Sequence, residues 1–418
     1  MSLFRFLHCS DLHIDSPFKG MASIRPQLAE RLRQSTFNAF HNIVKLALKE
    51  RVDAVIIAGD IFDSADRSLQ AQLKFRRGLQ ELSDAEIPSF IAFGNHDPLD
   101  GWSASLEWPE RVHFFSGKEI ERRPLWREGR VFADIYGRSF PTREVRDNLA
   151  LQFQVSPSPA YSVAVLHTNV GNDVNHDNYA PCALEDLVSR RVDYWALGHV
   201  HQHRVLRAAD PAVVYSGNSQ ARHPREGGKK GCCLVTLQKG SSPQIRFVPI
   251  DDIRFHWENL DLSGVDSRDD ILRAARNRCE LLGEQSDGRD IVLRLSLTGR
   301  TRLHSDLNKG GELQAIEEEI QRDFDLTDPR IWIEMDLQTA GTYDVDSLRK
   351  GKDFIADIVS LYDAALTGEH RDELREVLKP LFESWQGRGY LEAVSDDELQ
   401  DLLVQARALT LDLMVPEK

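Results

Sequence analysis

Apolar and polar positions follow two rhythms along this chain. In the first 250 residues, short unbroken apolar runs alternate with longer stretches whose apolar positions recur at helical spacing. The runs at 4–9, 54–58 and 88–93 predict strands buried on both faces. Between them, residues 25–50 read as one amphipathic helix. Leu28, Leu32, Ala39, Ile43 and Leu46 lie close to helical spacing, and Pro26 suits a first turn. Residues 68–82 predict a second helix. Further strands are predicted at 112–115, 131–136, 161–166 and 194–197, with a short helix at 183–190. The runs at 212–215, 232–237 and 245–248 read as consecutive strands of an antiparallel meander.

The rhythm changes near residue 254. Strands at 257–262, 291–297 and 331–335 alternate with helices at 269–282 and 313–324, which predicts a small α+β domain. Beyond Thr342 the pattern is helical, over 345–366, 370–385 and 395–413. Ser395 with Glu398 forms a capping-box pattern at the start of the last helix. Leu399, Leu402, Leu403, Ala406 and Leu409 give that helix an apolar stripe. The expected organisation is an α/β domain over 1–250, a small α+β domain over 254–340 and a helical segment over 345–418. No internal repeat or low-complexity segment interrupts it.

Composition narrows the class. The 418 residues are 41% hydrophobic and 28% charged, which suits globular domains. No run of 18 apolar residues predicts a membrane span, and the start lacks the order of a signal peptide. Five cysteines (Cys9, Cys182, Cys232, Cys233 and Cys279) form no disulfide-like framework, so a reducing, cytoplasmic setting is expected. The net charge of −14 is unevenly spread. Residues 1–250 carry 31 Lys and Arg against 28 Asp and Glu, whereas residues 251–418 carry 21 against 38. Any phosphate backbone should therefore meet the first 250 residues.

Chemistry is concentrated where the apolar runs end. Asp11 and His13 follow the first run, Asp60 the second, and Asn95 and His96 the third. His167 follows the strand at 161–166, and His199 and His201 the strand at 194–197. Loops at strand ends are where α/β sheets place reactive groups. A Ser or Gly precedes the ligand types in every block but that of His167, which leaves the chain room to turn. Carboxylate, amide and imidazole donors together suit divalent metals of the Mn, Fe or Zn kind. Two cations about 3.5–4 Å apart bind a phosphate oxygen and stabilise an in-line displacement.

This set of blocks resembles calcineurin-like metallophosphoesterases over residues 4–250. Their pattern of Asp-x-His, Gly-Asp-x-x-Asp, Gly-Asn-His-Asp/Glu, a lone His and Gly-His-x-His is complete here. The resemblance implies two packed β-sheets flanked by helices, with a two-metal site at the strand ends. It implies Asp11, His13, Asp60 and His201 as ligands of one metal and Asp60, Asn95, His167 and His199 as ligands of the second, with Asp60 bridging. The mixed donor set points to Mn²⁺, two per chain. His96 is implied as the acid that protonates the leaving oxygen, a task that suits imidazole. Asp97 is the candidate to orient the His96 ring, and Asp63 is expected behind the ligands.

Within that superfamily the stretch from His8 to Gly20 resembles the nuclease subunit of double-strand-break repair complexes, of the YhaO/SbcD exonuclease type. So does the segment from Tyr215 to Arg222, leading to Lys230 and Gly231. That resemblance implies a DNA substrate, a capping domain over 254–340, and a partner-binding segment over 345–418 docked on a coiled-coil ATPase; a homodimer is a further expected partner state. It would set Arg222, His223, Arg225, Lys229 and Lys230 near phosphates. The acidic second part departs from a DNA-gripping surface. Two other readings use the same residues: a nucleotide or small-molecule phosphodiesterase or phosphatase, and a binding subunit that regulates an ATPase.

Overall fold

In a computed structural model of the chain, residues 3–18, 26–63, 68–171, 177–223, 225–383 and 395–415 are described. Lys19 and Gly20 of the opening stretch, and Trp385 at the end of a predicted helix, lie outside them. The elements in order are β1 (Phe4–Cys9), α1 (Pro26–Glu50), β2 (Ala54–Ala58), α2 (Leu69–Asp84), β3 (Ser89–Ala92), β4 (Val112–Phe114), β5 (Glu121–Arg127), β6 (Arg130–Gly137), β7 (Tyr161–His167), α3 (Leu184–Val188), β8 (Tyr194–Gly198), β9 (Arg204–Arg207), β10 (Ala212–Tyr215), β11 (Gly231–Leu237) and β12 (Gln244–Pro249). They form two six-stranded sheets, ordered β12-β11-β1-β2-β3-β4 and β5-β6-β7-β8-β10-β9.

Alternation within the apolar runs explains the layering. Phe4, Phe6, Ala54, Ile56 and Ala58 point into one core with Val163, Val165, Ala196 and Val214 of the other sheet. Leu7, Cys9, Val55 and Ile57 point the opposite way, onto Phe40 and Val44 of α1 and Phe75 and Leu79 of α2. On the outer side of the second sheet, Ala164, Leu166, Trp195 and Leu197 meet Phe153 and Leu187. Each central strand is therefore buried on both faces, which is why its sequence is apolar without a break.

The meander predicted for 212–248 does not form. β10 pairs parallel with β8 in the second sheet, whereas β11 crosses to the first sheet and runs antiparallel to β1. Of the three strands expected in the meander, β11 and β12 do pair as a hairpin. Periodicity tells which faces are buried but not which strand lies alongside. The unforeseen strands β5 and β9 are both sheet edges with polar-rich sequences, ERRPLWR and RVLR.

The rest of the chain adds β13 (Ile253–Asp261), α4 (Arg268–Gln285), β14 (Asp290–Arg300), α5 (His304–Leu307), α6 (Glu312–Phe324) and β15 (Ile331–Ala340), with a third sheet ordered β13-β14-β15. It ends in α7 (Val345–Arg349), α8 (Phe354–Leu366), α9 (Arg371–Glu383) and α10 (Asp396–Met414). The single helix predicted over 345–366 is two, because Asp353 caps α8 by accepting from Ala356 N–H after a break at Gly351. Ser395 and Glu398 do form the capping box of α10. By contacts, one compact unit holds Met1–Trp257, Cys279–Arg294 and Gln321–Glu334. The other holds Glu258–Arg278, Leu295–Ile320 and Met335–Lys418.

Candidate metal centre

β1, β2, β7 and β8 deliver the candidate ligand residues Asp11, His13, Asp60, His167 and His201 to one place at the strand ends. Pairing continues past the strands: Asp11 N–H donates to Gly59 O at 3.0 Å, and His13 N–H to Asp60 O at 3.1 Å. The chain then turns sharply. Asp11, His13 and Asp60 adopt left-handed backbone with φ of 50°, 43° and 53°, and His199 has φ of 103°. Such conformations cost of order 1–3 kcal/mol each and persist only where the surroundings enforce them. The glycines of the motifs have a steric reason. A Cβ at Gly94 would collide with the Asp60 carboxylate, and one at Gly59 with the His167 ring.

Two donor clusters meet in the interior, Asp11 with His13 and His201, and Asp11 with Asp60 and His167; a third, His13 with Asp63 and His96, lies towards the rim. His13 Nε2 and His201 Nε2 are 3.1 Å apart, and His201 Nε2 is 4.0 Å from Asp11 Oδ1. Asp60 Oδ2 lies 3.4 Å from His167 Nε2 and 3.9 Å from His13 Nε2, so a single carboxylate oxygen faces both clusters. Asn95 Oδ1 is 2.9 Å from His167 Nε2. His199 is buried, its ring 5.2 Å from that of His167, with Nε2 2.7 Å from Asp177 O. Its backbone N–H donates to Asp11 Oδ1 at 3.1 Å.

The electrostatics favour added positive charge. Burial raises the Asp11 carboxyl, and neighbouring Asp60 adds to that, against the pull of His167 and His201. Burial works against charge on His167 too, yet Asp60 and its hydrogen bond push it up to about 9. Burial opposes ionisation of Asp60, but His167 outweighs it and holds the carboxyl well below its ordinary range. His13 is driven down to about 3 by burial and by the Arg222 charge. Two buried carboxylates, with imidazole nitrogens and an amide oxygen converging on them, fit a pair of divalent cations.

His96 stands at the rim, its side chain 31% exposed, with its ring 4.9 Å from that of His13. Its backbone N–H donates to Asp60 Oδ1 at 2.9 Å. Its Nδ1 lies 3.1 Å from Asp63 O and 3.7 Å from Asp63 Oδ1. Asp63 Oδ1 is also 3.3 Å from His13 Nδ1. Asp97, by contrast, accepts from the backbone N–H groups of Gly94, Ile61 and Phe62, at 2.8, 2.7 and 3.2 Å. It ties the Asn95 loop to the Asp60 loop, while Asp63 is the carboxylate beside the His96 imidazole.

The basic residues after β10 are dispersed. The Arg222 guanidinium pairs with Asp63. Lys230 is buried, with Nζ donating to His201 O at 3.2 Å. Lys229 pairs with Asp287 at 3.3 Å, and His223 and Arg225 are exposed. Sequence reasoning missed Glu226. Its Oε1 lies 2.7 Å from His201 Nδ1. Burial would raise this carboxyl, but His201 overrides it and holds it below the usual range. No motif marks a carboxylate 25 residues beyond its imidazole partner.

Residues 4–203 match the family described as calcineurin-like phosphoesterase. Residues 255–337 match the middle domain of the metallophosphoesterase YhaO. A Bacillus subtilis (strain 168) protein, uncharacterized metallophosphoesterase YhaO, is 36% identical over 294 residues, covering 70% of this chain and 71% of that protein. This chain belongs to the calcineurin-like phosphoesterases. More distant members include the DNA double-strand break repair protein Mre11 of Sulfurisphaera tokodaii, 26% identical over 60% of this chain and 64% of that one. Another is a component of the nuclease SbcCD of Bacillus subtilis, 25% identical over 56% of this chain and 67% of that one. The expected two packed sheets and the phosphoesterase class thus both hold. Among the described residues no helix is long and apolar enough to cross a membrane.

Proposed function

We propose that this phosphoesterase is a Mn²⁺-dependent DNA exonuclease acting in repair. The observation that carries the reading is the pair of buried carboxylates between the two donor clusters: Asp11 belongs to both, and Asp60 Oδ2 lies 3.4 and 3.9 Å from one imidazole of each. Asp11, His13, Asp60 and His201 would hold one cation, and Asp60, Asn95, His167 and His199 the other. When bound, the cation pair polarises the phosphodiester and offsets the charge that develops on it. The chain supplies the rest. Water attacks phosphorus and releases a proton to solvent, the bond to the leaving oxygen breaks, and His96 gives that oxygen its proton. Asp63, against Nδ1, orients the His96 ring, and Asp97 keeps the two loops in register. Exposed Arg225 and His223, and Arg222 once released from Asp63, would meet phosphates of the strand.

DNA is favoured as substrate by two relatives whose names describe a break-repair protein and part of a nuclease. A coiled-coil ATPase partner is favoured by the C-terminal helices, which leave Leu361, Val377 and Leu413 62%, 75% and 79% exposed. A homodimer would use another apolar patch, Leu69 and Leu73 of α2. The test is digestion of end-labelled linear DNA across metals. Mn²⁺-dependent shortening is expected, and His96→Ala should lower turnover by about 10²–10⁴-fold while keeping its metal. Turnover of a nucleotide with every DNA end inert would reject the substrate.

A further inference from the structure

We propose that Glu226 is a positioning residue for His201, fixing the imidazole so that one of the two cation positions depends on the loop 217–230. The inference rests on the metal reading above and deepens it. An ionised carboxylate only accepts hydrogen bonds. With Glu226 Oε1 at 2.7 Å from His201 Nδ1, that nitrogen carries the proton. The lone pair is then left on Nε2, which faces His13 Nε2 at 3.1 Å and Asp11 Oδ1 at 4.0 Å. This is the arrangement in which an imidazole can ligate. Without the carboxylate, the ring can hold its proton at Nε2 or rotate a carbon into the centre.

Glu226 is itself held. Its Oε2 accepts from Arg222 N–H and from Asn218 Nδ2–H, each at 2.8 Å, and its own N–H donates to His223 O at 2.9 Å. Lys230 of the same loop holds the His201 carbonyl at 3.2 Å. One loop therefore grips His201 at both its ring and its backbone. This also shows why Gln is a sharp substitution at 226. A carboxamide has one acceptor oxygen, so whichever way it turns, its NH₂ group faces a donor on one side.

The test compares wild type, Glu226→Gln and Glu226→Ala as full chains, using Mn²⁺ alone as the probe. In calorimetric titrations, wild type should bind two equivalents. Each variant should keep one at wild-type affinity and bind the other about 10–100-fold more weakly. In metal-free protein, ¹⁵N-histidine NMR should show His201 protonated at Nδ1 in wild type and a shifted tautomer signature in Glu226→Gln. Two wild-type-like equivalents in both variants, or an unchanged His201 signature, would overturn the role of Glu226. Equal loss of both equivalents would also overturn it, since the effect would not be specific to one position. A wild type that binds no Mn²⁺ would instead reject the metal reading, and with it this inference.

Discussion

The strand-end centre and the C-terminal helices solve opposite problems. At the centre, Asp11, Asp60, His13 and His167 are buried and polar, held by backbone bonds from several strands. On α8, α9 and α10, Leu361, Val377, Leu409 and Leu413 are apolar and exposed. Those helices bury Ala356, Val359, Leu399 and Leu411, and polar links add to the packing: Arg349 and Arg407 to Asp363, and Tyr362 to Thr410. Burying charge is costly unless something compensates it, and exposing leucine forgoes burial that folding would reward. The two regions thus depart from the ordinary rule in opposite directions, buried charge in one and exposed apolar side chains in the other.

The contrast can be tested by removing parts from each side. The largest effect should be the loss of turnover in His96→Ala described above, with little change in melting temperature, because the ring sits at the rim. Next, Ile56→Ala between the two sheets should cost about 2–5 kcal/mol in denaturant unfolding, since its side chain is fully buried. A third experiment concerns His8, buried between Tyr194 OH at 3.0 Å and Leu197 O at 3.2 Å. Burial holds it down at about 3 in the folded state, against an ordinary value of 6.5. The folded chain therefore refuses a proton that the unfolded chain accepts below pH 6.5. Its contribution is full above that pH and fades by about 1.4 kcal/mol per pH unit down to about 3. His8→Gln should flatten that slope in stability curves measured between about pH 6.5 and 4. The smallest effect should be that of Leu413→Ala, within about 0.5 kcal/mol, since that side chain is 79% exposed. A destabilisation there as large as at Ile56 would erase the distinction.

The central strands and the ligand blocks were legible because each is local. A run such as Ala54-Val55-Ile56-Ile57-Ala58 and the Gly59-Asp60 after it carry their own signal. What was not legible depends on pairing at a distance. β10 and β11 look alike in sequence, yet they lie in different sheets. Sequence proximity points to Asp97 as the neighbour of His96, and nothing local reveals that folding also brings Asp63 to its ring. Lys230 reads as a phosphate-facing cation in a basic loop, but it is buried, with Nζ on the His201 carbonyl. The fate of a charged side chain is settled by what lies across the gap, and that partner can be anywhere in the chain.

The left-handed turns at Asp11, His13 and Asp60 have an evolutionary consequence. These residues occupy backbone conformations that glycine would adopt with less strain. A population selected only for heat tolerance is free to relax these corners, whereas one that depends on the three candidate ligands has to keep them. Durability and chemistry are thus opposed at three identifiable codons, where a long-term culture experiment would see them diverge first.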